Sequence, residues 1–385
     1  MATINPLVQD MSSFIVMEVL ERAVELEHQG INIIHMEVGE PDFEPSKCVE
    51  DAVIKSLQQK KTHYTHSLGT IELRNEIAAF YKREYGVSIS PDQVVVTSGS
   101  SPAILMVMLL LAKKDGEVII SNPGYACYKN FALSANLKPV YVNVEATDGF
   151  LYPLNAVKSA VNSNTCAIMV NSPMNPTGTL VTDEMYRNLV ELNIPIICDE
   201  IYHGLVYDGK AHSVLEFTEN AFVINGFSKK YAMTGLRLGY IIAPKEYMRA
   251  LQIMQQNLFI CAPSNAQEGA LAALRCEEAQ QDVEKRKEIY NERRIYLINR
   301  LRAMGFVIET EPKGAFYVFA NAKKFTSDSF KFAFDVLENA HVGITPGVDF
   351  GTNGEGYVRL SYANSIENIK EGMDRLERYI SSLPQ

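Results

Sequence analysis

From about residue 46 to residue 275 the chain alternates segments of helical period with short apolar, β-branched runs. The runs are Gln93–Thr97, Glu117–Ser121, Pro139–Val144, Cys166–Asn171, Pro195–Cys198, Ala221–Asn225 and Leu238–Ile242. Most are separated by a stretch long enough for a helix, such as Asp183–Leu192. Continuously apolar strands joined by helical crossovers form a parallel sheet covered on both faces. An α/β fold with a mostly parallel seven-stranded sheet between helices is therefore expected over residues 46–280.

The pattern changes near Asp282. A long charged helical stretch (Asp282–Met304) is followed by runs at Val307–Glu309, Ala315–Phe319, Val342–Thr345 and Tyr357–Leu360, with helices at Asp328–Glu338 and Ser365–Ile380. These predict a smaller α+β domain over residues 281–385. The amphipathic stretch Ser13–Gln29 is placed with it, so residues 1–45 join the small domain and make it discontinuous. At 385 residues the chain exceeds a typical single core, which agrees with two domains.

Net charge is −10 with no basic block, which argues against nucleic acid or an acidic membrane surface as partner. Lys60-Lys61, Lys113-Lys114 and Arg293-Arg294 read as solvated faces. No apolar span reaches the roughly 18 residues a membrane helix needs, and Ala103–Ala112 reads as a buried core helix. The first basic residue is Arg22, so the amino terminus lacks a secretory signal's charged region. Six cysteines show no CxxC spacing, and Cys166 and Cys198 sit in apolar runs like reduced core residues. A cytoplasmic enzyme is expected. His63 and His66 have no Cys or carboxylate neighbour in their loop, so no metal site is assigned.

Open parallel sheets bind ligands beyond the carboxyl ends of their strands. Distinctive residues stand there. Thr97-Ser98-Gly99-Ser100-Ser101 opens a helix, where backbone N–H groups can hold an anion; the same residues also make an ordinary capped turn. The loop Asn171–Gly178 carries two prolines and Asn175, a stiff seat for an amide or simply a rigid turn. Asp199 ends a buried strand, where a carboxylate requires a cation or a strong donor; a structural salt bridge would serve equally. Ala221–Asn225 leads into Ser228, Lys229, Lys230 and Arg237. A desolvated lysine loses its proton readily and can form an imine with a carbonyl cofactor, and Arg237 can hold a phosphate.

Taken together, these motifs resemble the class I/II aminotransferases, enzymes of fold type I that use pyridoxal 5'-phosphate. The resemblance runs from Gly39-Glu40-Pro41-Asp42-Phe43 to Tyr357-Val358-Arg359-Leu360-Ser361-Tyr362-Ala363, and its central motif is Ser-Lys followed by Gly-Leu-Arg-Leu-Gly. It implies that Lys229, not Lys230, forms the imine, that Asp199 faces the ring nitrogen, and that Tyr202 and Asn175 hydrogen-bond the phenolic oxygen. It further implies phosphate contacts from Ser100, Ser101, Ser228 and Arg237 and stacking by Tyr125. Tyr64 would be lent to the neighbouring subunit's phosphate, so a homodimer with shared active sites is expected. Arg359 would clamp the substrate α-carboxylate beside Gly39.

Two departures from the family pattern stand out, the second with no evident catalytic consequence. Some aspartate-preferring members carry a basic residue where Ser101 stands here, and Glu44-Pro45 replaces the usual Thr-Pro. Phe14, Ile15 and Met17, in a segment that the resemblance places at the substrate mouth, hint at an apolar or aromatic side chain. The expected reaction is amino-group transfer between an L-amino acid and a 2-oxo acid. The alternative on the same residues is a carbon–sulfur β-lyase or a cyclopropane-forming synthase. A regulatory descendant would need an added DNA-binding domain, for which the roughly 38 residues before Gly39 leave no room. No GxGxxG follows any candidate strand, against a nicotinamide enzyme.

Overall fold

The computed structural model describes residues 4–383. In chain order its strands are β1 (Ile34–His35), β2 (Val94–Thr97), β3 (Glu117–Asn122), β4 (Lys138–Asn143), β5 (Thr165–Asn171), β6 (Ile196–Asp199) and β7 (Ala221–Gly226). Then follow β8 (Gly239–Ile242), β9 (Tyr317–Asn321), β10 (Val342–Gly343), β11 (Thr345–Pro346) and β12 (Tyr357–Ser361). The seven runs anticipated between residues 93 and 242 all become strands of one sheet, ordered β2-β8-β7-β6-β5-β3-β4. β8 pairs antiparallel with both neighbours, and every other pairing is parallel.

Alternate side chains of these strands enter different cores. Val94, Val96, Ile168, Val170, Cys198 and Val223 join one face. Val95, Ala167, Met169, Ile197, Phe222 and Ile224 join the other. Burial on both sides is what makes these runs read as continuously apolar. Each fully buried aliphatic contributes on the order of 2 kcal/mol by leaving water. The helix Ser100–Leu111 covers one face with buried Ala103, Ile104, Met106, Val107 and Met108. Ile71–Tyr85 covers the other with Leu73, Ile77, Phe80 and Tyr81.

The carboxyl-terminal part is built on an antiparallel sheet, β11-β12-β9, and the parallel pair β1-β10. Its long helix spans Glu277–Met304, beginning five residues before the sequence pattern suggests. Glu277 and Glu278 lie in the first turn, where acidic groups complement the helix dipole. Val307–Glu309 forms no strand, only an isolated bridge from Val307 to Asn321. The run Val342–Thr345 is split because Val342–Gly343 pairs with β1 while Thr345–Pro346 pairs with β12. The helix Ile15–His28 packs Val19, Ala23 and Leu26 against Leu337 of the helix Ser329–Ala340. Arg293 is buried rather than solvated: it pairs with Asp42 at 2.9 Å and lies over the rings of Phe43 and Tyr290. All six cysteines are free, with Cys166 and Cys198 buried.

No helix among the described residues is long and apolar enough to cross a membrane.

Candidate active site

Because β8 alone is reversed, the carboxyl ends of β2, β3, β5, β6 and β7 and the start of β8 meet at one edge of the sheet. A cleft of about 210 Å³ lies there, roofed by the amino-terminal segment and by β9 and β12. Lys229, Asp199 and Tyr202 line it, together with Asn175, Tyr125 and Arg359. Gly39, Ser100 and Ser101 complete the expected residues that reach it.

Asp199 ends β6 and is buried. Its Oδ2 accepts from the Tyr128 hydroxyl at 2.8 Å and its Oδ1 from the Ile201 N–H at 3.1 Å. Burial pushes its pKa up to about 6, against the pull of those two donors and of Lys229. Lys229 follows β7, and its Nζ donates to the Gly39 carbonyl. Burial lowers its pKa to about 8; Glu40 works against this, while Arg359 and Arg237 reinforce it. The cleft thus holds an amine that is partly unprotonated near neutrality and a buried carboxylate held by two hydrogen-bond donors.

Asn171 ties the Asn171–Gly178 loop to the strand ends, donating to the Asp199 carbonyl at 3.0 Å and accepting from the Asn175 N–H at 2.7 Å. Asn175 Oδ1 accepts from Arg359 Nη1 at 2.9 Å. Arg359, in the middle of β12, is buried between the rings of Tyr317, 4.3 Å away, and Phe350, 4.9 Å away. The hydroxyls of Tyr202 and Tyr317 lie 2.7 Å apart. Tyr317 also explains Gly39: a Cβ there would stand 1.9 Å from the tyrosine hydroxyl.

Gly99 precedes the helix Ser100–Leu111 with φ of +104°, a conformation that favours glycine. A Cβ at Gly99 would lie 2.8 Å from Arg237 Nη2, so the guanidinium rests against the helix amino terminus. Gly239 lets β8 pass equally close, since its Cβ would meet the Ser100 nitrogen at 2.7 Å. Helix N–H groups beside an arginine make an anion cradle. Ser228 is buried next to Lys229, and neither Ser228 nor Arg237 lines the cleft itself. Tyr64 is 80% exposed and stands outside it.

Phe14 and Met17 line the mouth as expected, whereas Ile15 packs toward the helix core around Leu337. Phe14 meets Tyr125 edge-on at 6.0 Å, and Val16 and Ile104 add apolar surface. Tyr128 and Tyr317 are additions that the motifs do not reveal. The spacing Tyr125-x-x-Tyr128 at a helix start is the available signal for the first. Tyr317 lies in an apolar run and gives none.

Comparison with known proteins shows the family to which this fold belongs. Residues 31–376 match the family model "Aminotransferase class I and II", a family generally dependent on pyridoxal phosphate. The (5-formylfuran-3-yl)methyl phosphate transaminase of Methanocaldococcus jannaschii is 42% identical over 96% of this chain and 97% of its own length. The aspartate aminotransferase of Pyrococcus horikoshii is 36% identical over 94% and 93%. The structure of aspartate aminotransferase from Thermus thermophilus with maleate superposes with a TM-score of 0.94 at 34% identity, covering 98% of this chain and all of that one. These relatives are transaminases, so the lyase or cyclopropane-synthase alternative is not favoured. The chain belongs to the class I and II aminotransferases and is itself a transaminase.

Proposed function

We propose that this transaminase works with pyridoxal 5'-phosphate held across the cleft, between Lys229 and Asp199. The observation that carries the reading is that these two groups line one small cavity, with displaced pKa values and an anion cradle beside them. The donor set fits such a group: a buried carboxylate suits a protonated ring nitrogen, and Gly99, Ser100, Ser101, Ser228 and Arg237 suit a phosphate. When bound, the cofactor supplies an electron sink for the carbanion left when the substrate Cα–H bond breaks.

The chain's own groups supply the rest. Lys229 would hold the cofactor through its side-chain amine, and its unprotonated Nζ would be the base that takes the proton from the substrate Cα. Asp199 keeps a proton on the atom it faces. Tyr202 and Asn175 would hydrogen-bond the cofactor's phenolic oxygen, and Tyr125 would lie against its ring. Arg359 grips the α-carboxylate with donors that the protein leaves free, fixing the Cα–H bond for removal.

The substrates are an L-amino acid and a 2-oxo acid. Phe14, Val16, Met17 and Ile104 around the mouth support an apolar or aromatic side chain, and Ser101 supplies no cation for a second carboxylate. Exposed Tyr64 supports a homodimer in which each subunit completes its partner's phosphate site. The grouping of residues 1–45 with 281–385 is supported by a core that joins Ile34 and Met36 to residues between 290 and 376, and the same core takes in Ile201, Tyr202 and Leu205 where the two parts meet. The acidic composition and the free cysteines are in keeping with a cytoplasmic enzyme. A panel of amino acids mixed with holoprotein under single-turnover conditions tests the reading. Aromatic and aliphatic donors should bleach the visible cofactor band fastest, and bleaching by aspartate alone would contradict the assigned preference.

A further inference from the structure

The segment from His35 to Gly39 touches both ends of the chemistry. Its Glu37 carbonyl accepts from Arg359 Nη2 and, at 3.0 Å, from the Thr345 hydroxyl. Two residues on, the Gly39 carbonyl accepts from Lys229 Nζ. The segment is pinned by backbone bonds from Met36 N–H to the Gly343 carbonyl, 3.0 Å, and from Ser361 N–H to the Met36 carbonyl, 2.7 Å.

Its side chains are unusual for a strand end. Glu37 is wholly buried, and its Oε1 lies 2.6 Å from His35 Nδ1. The other ring nitrogen of His35 lies 3.2 Å from Glu27 Oε1 on the amino-terminal helix. Glu37 Oε2 has no partner among the described residues. It sits against Gly343, where a Cβ would come within 2.0 Å of it. A carboxylate this deep destabilises the fold unless it is paired, and an unmet oxygen adds to that penalty. An apolar residue would hold a strand end more cheaply, so the ion pair calls for a role.

Arg359 shows what that role is. A guanidinium has five N–H donors. Three are committed, to Asn175 Oδ1, the Glu37 carbonyl and Thr345 Oγ1. Nε is buried without a partner. Which edge remains for a carboxylate therefore depends on where the Glu37 carbonyl sits.

We propose that His35 and Glu37 are positioning residues for the carboxylate clamp, locking the strap so that its Glu37 carbonyl occupies one edge of Arg359 and leaves the rest for substrate. This rests on reading Arg359 as the clamp. Neither side chain lines the cleft, so both act through the backbone carbonyl. Protonation supports the lock: the hydrogen bond to Glu37, set against the opposing effect of burial, raises the His35 pKa to about 9.

The test measures binding of 3-phenylpropanoate and of succinate, two unreactive carboxylates, to holoprotein by calorimetry. The better ligand is carried forward with His35→Ala, Glu37→Ala, Glu37→Gln and Arg359→Lys. His35→Ala and Glu37→Ala should each raise its Kd about tenfold, with KM for the fastest amino donor rising in step while kcat changes less than about threefold. Glu37→Gln, which keeps the shape and a hydrogen bond, should recover most of the loss. Gly343→Ala, which presses on the carboxylate from the other side, should weaken binding as well and serves where Glu37→Ala does not fold. Unchanged Kd in the strap variants alongside weakened Arg359→Lys would overturn the proposal and leave the clamp standing. Unchanged Kd in Arg359→Lys would remove the clamp reading, and the proposal with it.

Discussion

The Tyr128 hydroxyl donates a 2.8 Å hydrogen bond to Asp199 Oδ2, in a setting where both side chains are buried. That bond opposes the burial that drives the Asp199 pKa upward. Without it the carboxyl would stay protonated to higher pH and grip a cationic ring nitrogen less well. Tyr128→Phe should lower kcat/KM about tenfold, the equivalent of roughly 1.4 kcal/mol. The acid limb of the pH–rate profile should move to higher pH. A profile with an unshifted acid limb would show that Tyr128 does not tune Asp199.

Gly39 is predicted to tolerate no side chain. A Cβ there would meet the Tyr317 hydroxyl at 1.9 Å, in contact with the residue whose ring carries Arg359. Gly39→Ala should cost about 1–3 kcal/mol in thermal unfolding and raise KM. Adding Tyr317→Phe should recover part of that loss, so the two changes should be non-additive. Strict additivity in the double variant would contradict the contact.

Glu200 gives a stability prediction away from the chemistry. It is fully buried, accepting from Tyr81 at 3.0 Å, Ser213 at 2.8 Å and the Val214 N–H at 3.0 Å. Burial still raises its pKa to about 8, above an unfolded value of 4.5. Between those limits the folded chain holds a proton that the unfolded chain releases. Its contribution is therefore full below pH 4.5 and lost as pH rises through about 8. Glu200→Gln removes this dependence, so its Tm relative to the parent should improve steadily from pH 5 to pH 8.5. A difference independent of pH would mean that Glu200 is ionised in the fold.

Much of this architecture is legible in the amino-acid sequence. The strands of the large sheet announce themselves because both their faces are buried, as in β5, where every residue from Thr165 to Asn171 is buried. The carboxyl-terminal strands are less legible because they are short and change partners, as Val342–Gly343 and Thr345–Pro346 do. Residues at strand ends are readable by position, so Asp199, Lys229 and Asn175 can be named from neighbouring apolar runs. Their partners cannot. Tyr128 reaches Asp199 across 71 positions and Tyr317 reaches Tyr202 across 115, and no local pattern encodes such pairings. Arg293 misleads for the same reason: its charge suggests solvent, while Asp42, beside the ring of Phe43, awaits it 251 positions away.

Lys229 itself offers a pH test. Its pKa of about 8 means that the reactive free amine increases about tenfold per pH unit below that value and levels off above it. The rate at which apoprotein takes up pyridoxal 5'-phosphate should follow that curve. Lys229→Ala should abolish the visible band and slow turnover at least about a thousandfold, roughly 4 kcal/mol. A flat rate from pH 6 to pH 9 would place the reactive amine elsewhere.

The central claim is that one lysine, at position 229, carries the cofactor. Protein loaded with pyridoxal 5'-phosphate, reduced with borohydride and digested, should yield a single phosphopyridoxylated peptide modified at Lys229. Modification at the adjacent Lys230, or no modified lysine in protein that still transaminates, would contradict the account.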